Sequence, residues 1–333
     1  MSKIFLLFVL ISLRLCSEAQ TKEKINDLNP SLFDLDFKNY DKNTALYCAQ
    51  LSDVVYWDST EIKRFYKKMI VSYPEENIQY KIINDDSGSN YIQALLWCTK
   101  KFLVIAFRGT EPKRIKNWYS DSKFFYYENL PEKNEELSYM PGGHAGFRRA
   151  LIGLMIDKKI FNEIDAIIHQ SISSADTKKF PIYLTGHSLG AGISQLFIHP
   201  LNYRKYNFSG AYHFAPPLAV SCEVNQQMRN DYGNVTYDIV NYKDYVPRAG
   251  RNNVAHFGKF YRICNDGLIY KENEAYVKFK VTELKDEFKL HSLKNHILYI
   301  SNNKNKIEDI IKRSTGNFPC MELEGKLSDL CGN

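Results

Sequence analysis

Residues 186–190 spell Gly-His-Ser-Leu-Gly, which places Ser188 in a Gly-x-Ser-x-Gly pattern. A β-rich run precedes the pattern and an apolar, helix-forming run follows it, as is typical of a nucleophile elbow. This turn leaves no room for side chains two positions before and two after the serine, where the chain has Gly186 and Gly190. We therefore expect Ser188 to expose a nucleophilic hydroxyl, and the amide of Leu189 to donate to a developing oxyanion. The alternative is a glycine-rich turn with an inert serine.

A serine hydroxyl is a weak nucleophile, so it needs a histidine to take its proton and an acid to orient that histidine. With an elbow of this kind the chain order is serine, then acid, then histidine. Asp244 is the best acid because it follows a strand predicted over residues 236–242, and active-site groups gather past the carboxyl ends of such strands. Asp238 falls inside the same strand and is the poorer candidate.

Three histidines follow Asp244 in the chain, at positions 256, 291 and 296. His256 comes so soon after the acid that little chain is left for another strand between them. His291 lies between a strand-like run at 276–282 and a helix predicted over 293–300, which is where this architecture needs its base. His296 lies inside that helix. We favour His291 as the base and keep His296 as the alternative.

Strand-like and helix-like segments alternate along the rest of the chain. The patterns predict a helix over 44–57, a hairpin around the polar turn 84–90, a buried strand over 101–108 and one long amphipathic helix over 147–172. Further strands are predicted at 210–214 and 259–264. This alternation indicates an α/β fold with a mainly parallel sheet covered by helices on both faces.

Several segments, taken in order, resemble the class 3 lipases, the fungal-type triacylglycerol lipase family within the α/β-hydrolases. The resemblance covers about residues 44–300 and rests on seven collinear motifs. They lie at residues 104–110, 116–121, 143–147, 186–190, 214–217, 240–247 and 291–293. The resemblance implies the α/β-hydrolase fold, with a mainly parallel central sheet and helices on both faces. It also implies a serine ester hydrolase that acts on lipid esters, and the sequence itself indicates no metal or other cofactor.

By this resemblance, Thr110 supplies the second oxyanion donor through its backbone amide, while Ser188, Asp244 and His291 form the triad. The chain has His296 where the family usually has tyrosine, so the family's shorter form, His-x-x-Tyr, could instead begin at His296. The segment 111–119 corresponds to a short helical lid in the family, and its alternative is a plain solvated turn. The resemblance favours a triacylglycerol lipase. Phospholipase A1, another carboxylesterase and a non-catalytic lipid-binding pseudoenzyme are the alternatives.

The amino terminus has the form of a secretory signal peptide. Lys3 precedes the apolar run 4–13, and a small-x-small pattern ends at Ala19, which predicts cleavage after residue 19. The protein is therefore expected to be secreted, either to the extracellular space or into the lumen of the secretory or endolysosomal pathway. The alternatives are an uncleaved anchor or a lipid-modified Cys16. The expected organisation is a signal peptide at 1–19, a loose polar lead-in at 20–43, a hydrolase domain at 44–300 and a tail at 301–333.

Composition adds weaker expectations. The formal net charge of +6 is spread along the chain, so nucleic-acid binding has little support, whereas transient association with a lipid–water interface fits the resemblance. Six cysteines remain after Cys16, and in a secreted chain this number predicts disulfides, with fifteen ways to pair them. Asn207 and Asn234 begin potential glycosylation sequences. The sequence does not indicate an oligomeric state.

Overall fold

A nine-stranded sheet forms the centre of the protein in a computed structural model of the chain. The structure describes residues 28–84, 92–109, 127–128, 141–241, 244, 246–248, 254–263, 269–272, 291–302 and 307–309. The predicted signal peptide, Thr110, the segment 111–119 and the predicted strand at 276–282 lie outside these residues. No helix in the described ranges is both long enough and apolar enough to span a membrane.

The strands are β1 (Gln79–Asn84), β2 (Ile92–Cys98), β3 (Leu103–Phe107), β4 (Tyr127–Glu128), β5 (Gly143–His144), β6 (Ile182–His187), β7 (Phe208–Phe214), β8 (Val220–Ser221), β9 (Thr236–Asn241), β10 (Val254–Ala255), β11 (Lys259–Ile263), β12 (Ile269–Glu272) and β13 (Ile307–Asp309). The helices are α1 (Lys42–Val54), α2 (Ser59–Ser72), α3 (Ala145–Ile156), α4 (Ile160–Ser171), α5 (Leu189–Tyr203), α6 (Cys222–Tyr232) and α7 (Leu293–Asn302). Short 3-10 turns cover Pro30–Leu32, Pro74–Glu76, Gly233–Val235 and Val246–Arg248.

The order of strands in the large sheet is β1-β2-β3-β6-β7-β9-β11-β12-β13. The consecutive neighbours from β3 to β11 are parallel, whereas β1, β2 and β3 form an antiparallel meander at one edge. A smaller sheet has the order β10-β8-β5-β4. Because these strands are parallel, the carboxyl ends of β3, β6, β7 and β9 lie at the same end of the sheet. At this end the elbow follows β6, and Asp244 follows β9.

Both faces of the large sheet are covered, as the alternation of side chains on its strands requires. On β3, Leu103, Ile105 and Phe107 join a core with α3, α4 and α5. The intervening side chains, Val104 and Ala106, join a second core with α1, α2 and α7. All these positions are buried, so the prediction of a buried strand from this continuous apolar run is confirmed.

The predicted single helix over 147–172 is wrong. Two helices, α3 and α4, cover this segment, and the chain breaks between them at Lys159, whose φ is 49°. This left-handed conformation is unfavourable for lysine and cannot continue a helix. The apolar spacing continued through the break because both helices pack on the same core.

The expected loose lead-in is also wrong for the part that the structure describes. Phe33 stacks on Phe102 with ring centroids 4.2 Å apart, and Phe37 packs against Tyr183 and Tyr212. Both phenylalanines are buried in the core on the α1 side of the sheet. Beyond residue 300, β13 pairs with β12, so the predicted tail contributes a strand to the sheet.

Two of the six cysteines expected to pair are free thiols. Cys48 lies on α1 in one core and Cys98 ends β2 in the other core, so the sheet separates them. A disulfide framework that uses all six cysteines is therefore not formed. Disulfide pairing of Cys222 and of the three cysteines outside the described residues stays a prediction.

Candidate active site

Ser188 lies in a strained turn between β6, which ends at His187, and α5, which begins at Leu189. Its φ of 57° and ψ of −128° are unusual for a residue with a side chain, and such strain persists only where the surroundings enforce it. The amide of Ser188 donates to the carbonyl of Phe214 at 3.0 Å, which ties the turn to the end of β7. Ser188 is only 3 % exposed, so the expected exposure of its hydroxyl is not found.

Three glycines allow this turn to form. A Cβ on Gly186 would lie 2.5 Å from the carbonyl carbon of Gly190, and a Cβ on Gly190 would overlap the carbonyl oxygen of Phe107. The steric demand predicted from the motif is thus confirmed. A third glycine, Gly109, follows β3, and a Cβ there would overlap the carbonyl oxygen of His187. The chain that leads into position 110 is therefore pressed against the elbow.

Leu189, one of the two expected oxyanion donors, lies at the start of α5. The amides of Ala191 and Gly192 donate to the carbonyl of Ser188 at 2.9 and 3.2 Å, so helical hydrogen bonding begins immediately after the turn. The amide of Leu189 belongs to the first turn, whose N–H groups have no acceptor within their own helix. It is therefore in a position to donate to an anion beside Ser188. Thr110, the other expected donor, lies outside the described residues.

Asp244 and His291, which are separated by a long stretch of chain, meet beside the elbow. His291 Nδ1 lies 2.8 Å from Asp244 Oδ2 and 3.1 Å from Oδ1, and both residues are buried. The amide of Val246 donates to Asp244 Oδ1 at 3.0 Å, and the amide of Asp244 donates to the carbonyl of Asn241 at 3.0 Å. These bonds hold the carboxylate just past the end of β9, the place expected for the acid.

This contact also selects the tautomer of His291. An ionised carboxylate only accepts hydrogen bonds, so Nδ1 must donate and Nε2 of the neutral ring must carry the lone pair. Nε2 has no hydrogen-bond partner among the described residues and is buried. A lone pair on this nitrogen is what a general base presents to a serine hydroxyl.

His296 lies one turn further on, in α7, and makes different contacts. Its Nδ1 donates to the carbonyl of Ser292 at 3.2 Å, and its ring lies 6.1 Å from that of Phe214. Burial lowers the pKa of His296 to about 4, so the ring is neutral near pH 7. The geometry therefore favours His291 over His296 as the partner of the acid.

Asp238 belongs to a second polar cluster, which is enclosed between α5 and the sheet. Ser194 Oγ lies 2.9 Å from His213 Nε2, and His213 Nδ1 lies 3.0 Å from Asp238 Oδ1. These three side chains are fully buried, so the array resembles a triad in composition but cannot meet a substrate. Burial alone would raise the pKa of Asp238, but hydrogen bonds from His213 and His256 outweigh burial and hold that pKa below its usual range. Asp238 is therefore an ionised structural group.

His256 joins this cluster to the acid segment. Its Nδ1 lies 3.4 Å from Asp238 Oδ2, and its Nε2 donates to the carbonyl of Pro247 at 2.8 Å. Pro247 lies in the 3-10 turn Val246–Arg248, which begins two residues after Asp244. His256 thus braces the loop that follows Asp244, a role for which the sequence has no local signal.

His144, in the segment that resembles a family motif, has a structural contact. Its Nδ1 accepts from the amide of Gly146 at 3.2 Å and caps α3, while its ring stacks on Phe147. Burial lowers the pKa of His144 to about 4, so the ring is neutral near pH 7 and Nδ1 keeps the lone pair with which it accepts. Trp118, in the resembling segment 116–121, lies outside the described residues.

His187 was missed in the sequence, where it occupied a variable position of the elbow motif. Its Nε2 lies 2.6 Å from the carbonyl oxygen of His291, so the elbow contacts the segment that carries the candidate base. The only sequence signal was an imidazole directly before the candidate nucleophile.

Comparisons with known proteins give one family match and several similar solved structures. Residues 104–253 match the family model described as lipase (class 3). Among solved structures, the native Rhizomucor miehei lipase propeptide complex has a TM-score of 0.50 and 16% identity, over 77% of this chain and 75% of that chain. A deletion mutant of the same complex has a TM-score of 0.51 and 16% identity, over 83% of this chain and 78% of that chain. Among curated proteins, a sequence search gives no significant match.

At 16% identity, the two Rhizomucor miehei structures are evidence for the fold alone. The predicted α/β-hydrolase fold, with a mainly parallel central sheet and helices on both faces, is confirmed. The family match includes the elbow, the acid segment and the chain before Thr110. The protein is an ester hydrolase, and its residues 104–253 match the class 3 lipase family.

Proposed function

We propose that this ester hydrolase cleaves the acyl esters of lipids, as a triacylglycerol lipase does, through a covalent acyl-enzyme on Ser188. The observation that carries the proposal is the buried 2.8 Å contact between His291 Nδ1 and Asp244, beside a serine in a strained elbow. A lipid-binding module without turnover has no need for this combination, which argues against the pseudoenzyme alternative.

In the first half-reaction, Ser188 Oγ attacks the ester carbonyl carbon while His291 Nε2 takes the hydroxyl proton. The carbonyl oxygen becomes an oxyanion, which the amides of Leu189 and Thr110 stabilise, and Asp244 stabilises the imidazolium. The tetrahedral intermediate collapses when the ester C–O bond breaks, and the leaving alkoxide takes the proton from His291. In the second half-reaction, water attacks the acyl-enzyme with the same base, and the carboxylic acid leaves.

The decisive test is Ser188→Ala, measured by hydrolysis of a soluble p-nitrophenyl ester and by covalent labelling with a fluorophosphonate probe. We expect loss of both signals with an unchanged fold, because the nucleophile alone is removed. Ser194→Ala is the matched control, since Ser194 also lies next to a histidine and an aspartate but is fully buried. It should keep activity and labelling and should lose about 0.5–1.5 kcal/mol of stability with its hydrogen bond. Activity of more than a few per cent in Ser188→Ala would refute the mechanism.

Substrate class is the second part of the proposal. It rests on the family, because triacylglycerol, phospholipid and cell-wall esters share the same reaction at the carbonyl carbon. A panel of triolein, phosphatidylcholine and a feruloyl ester, each compared at equal ester concentration, distinguishes them. We expect the highest kcat/KM on triolein. Preference for phosphatidylcholine would support phospholipase A1 instead, and preference for the feruloyl ester would support a cell-wall esterase.

We also propose that the protein is secreted, on the basis of the apolar run 4–13 and the small-x-small pattern that ends at Ala19. Expression in a eukaryotic secretory host followed by mass spectrometry of the amino terminus tests this proposal. The mature chain should appear in the medium and begin at Gln20. A chain that stays with the cells and retains its first residues would contradict it.

A further inference from the structure

The imidazole of His187 makes a short polar contact with the segment that carries the candidate base. Its Nε2 lies 2.6 Å from the carbonyl oxygen of His291, and the two rings lie 4.7 Å apart between centroids. A carbonyl oxygen only accepts, so Nε2 of His187 carries the hydrogen. His187 is buried, which keeps water from competing for this bond.

We infer that His187 is a positioning residue, which holds the catalytic base in register with the nucleophile by donating to the base's own carbonyl. This inference rests on the proposed roles of Ser188 and His291. His187 and Ser188 are consecutive in the chain, so a single peptide unit separates the nucleophile from the group that fastens the base. A displacement of the elbow would therefore carry both reacting groups together.

Each side of His291 has a separate restraint. Its imidazole contacts Asp244 through Nδ1, which fixes the direction of the ring, and its carbonyl contacts His187, which fixes the main chain. With the acid as the only anchor, the ring would pivot about the carboxylate and the direction of Nε2 would not be fixed. Two anchors at opposite ends of the residue determine where Nε2 points.

The second nitrogen of His187 keeps the ring in the required form. Nδ1 lies 3.5 Å from the hydroxyl of Tyr56, and the guanidinium of Arg108 lies 5.3 Å from the centre of the tyrosine ring. Burial lowers the pKa of His187 well below its ordinary value, and the neighbouring rings of His291 and His296 lower it further. A neutral His187 adds no positive charge beside His291 when that ring becomes an imidazolium during the reaction.

The test compares His187→Leu, which removes the donor at similar volume, with His187→Gln, whose amide nitrogen can donate to the same carbonyl. On a soluble p-nitrophenyl ester we expect His187→Leu to lower kcat about 10- to 100-fold with KM within about twofold, because a small misplacement of the base affects the chemical step. The rate of fluorophosphonate labelling should fall in parallel. His187→Gln should recover most of both losses.

Equal losses in the two variants would overturn the inference, because volume and not the donor would then explain the effect; wild-type kcat in His187→Leu would overturn it as well. A measurement on the wild-type protein covers the case in which a variant does not fold. Selective ¹⁵N labelling of histidine with two-dimensional NMR reports ring tautomers at pH 7, and we expect Nε2–H for His187. An Nδ1–H or charged ring would refute the contact.

These outcomes can be told apart from a failure of the proposed function. If wild-type protein neither hydrolyses the ester nor reacts with the fluorophosphonate, the proposed mechanism fails. The tautomer of His187 then still decides whether the elbow fastens the His291 segment.

Discussion

Gly186 lies where β6 passes the start of α5, and its replacement by alanine tests whether close backbone packing holds the elbow together. An added Cβ would meet the carbonyl carbon and oxygen of Gly190 at 2.5 and 2.6 Å and the amide nitrogen of Ala191 at 2.7 Å. All three atoms belong to the backbone, so no side chain can rotate away. The strand and the helix would have to separate.

The size of that separation follows from the contact distances. Ordinary contact of a Cβ begins at 3.4 Å, so the closest neighbour must move by 3.4 − 2.5, or about 0.9 Å. Overpacking of this kind costs about 1–3 kcal/mol, which exceeds the roughly 0.4–1 kcal/mol that an alanine contributes by restricting the unfolded chain. A displacement near 1 Å at a reacting group can lower the rate about 100-fold. We therefore expect Gly186→Ala to lose about 1–2 kcal/mol of stability and about 100-fold in kcat.

Hydrolysis of a soluble p-nitrophenyl ester gives kcat, and urea unfolding followed by tryptophan fluorescence gives the free energy of unfolding. Gly153→Ala is the control, because the nearest atom to its added Cβ is Asp157 Oδ2 at an ordinary 3.6 Å. Gly153 lies inside α3, so alanine there should raise stability by about 0.5–1 kcal/mol and leave kcat unchanged. Wild-type kcat in a stable Gly186→Ala protein would refute the view that this packing places the nucleophile.

The other predictions concern the titratable groups around the elbow. His291→Ala should abolish ester hydrolysis while His296→Ala mainly lowers stability in urea, and the opposite pattern would make His296 the base. Asp244→Asn should lower kcat by about 10⁴-fold, as loss of the orienting acid does in triads generally. Asp238→Asn should mainly destabilise the fold. A larger loss of kcat in Asp238→Asn than in Asp244→Asn would contradict the assignment of Asp244 as the acid. Burial holds His187 and His296 neutral, so the unfolded chain binds more protons than the native protein below pH 6.5 and stability must fall as the pH falls. His296 alone should contribute a loss of about 2 kcal/mol at pH 5, and equal unfolding free energies at pH 7 and pH 5 would refute this.

Features that depend on local geometry could be predicted from the sequence. The two elbow glycines follow from a steric demand within five residues, and the overlaps found around Gly186 and Gly190 have that cause. The run of β3 is apolar at every position, so its burial on both faces could be predicted without knowing which strands lie beside it. Asp244 was favoured because it follows a strand, and the structure places it just beyond β9.

Long-range packing changed several expectations. The helical periodicity of 147–172 continued through a break at Lys159, because both helices pack on the same core. The apolar pattern shows which side chains are buried but does not show where one helix ends and the next begins. Cys48 and Cys98 were expected in a disulfide framework, but the sheet lies between them. The number of cysteines carries no information about which layer each one occupies.

The local sequence determined the existence of the elbow and the order of its partners, because tight turns and strand ends restrict residue types within a few positions. The sequence favoured His291 over His296, which lies five positions further on, but only the tertiary structure shows which imidazole contacts Asp244. The packing of α7 against α1 sets the helix direction, and that direction brings the first imidazole to Asp244 and the second to the carbonyl of Ser292. The contact between His187 and the carbonyl of His291 has the same origin, since a hydrogen bond between segments about a hundred residues apart depends on how the sheet and helices assemble.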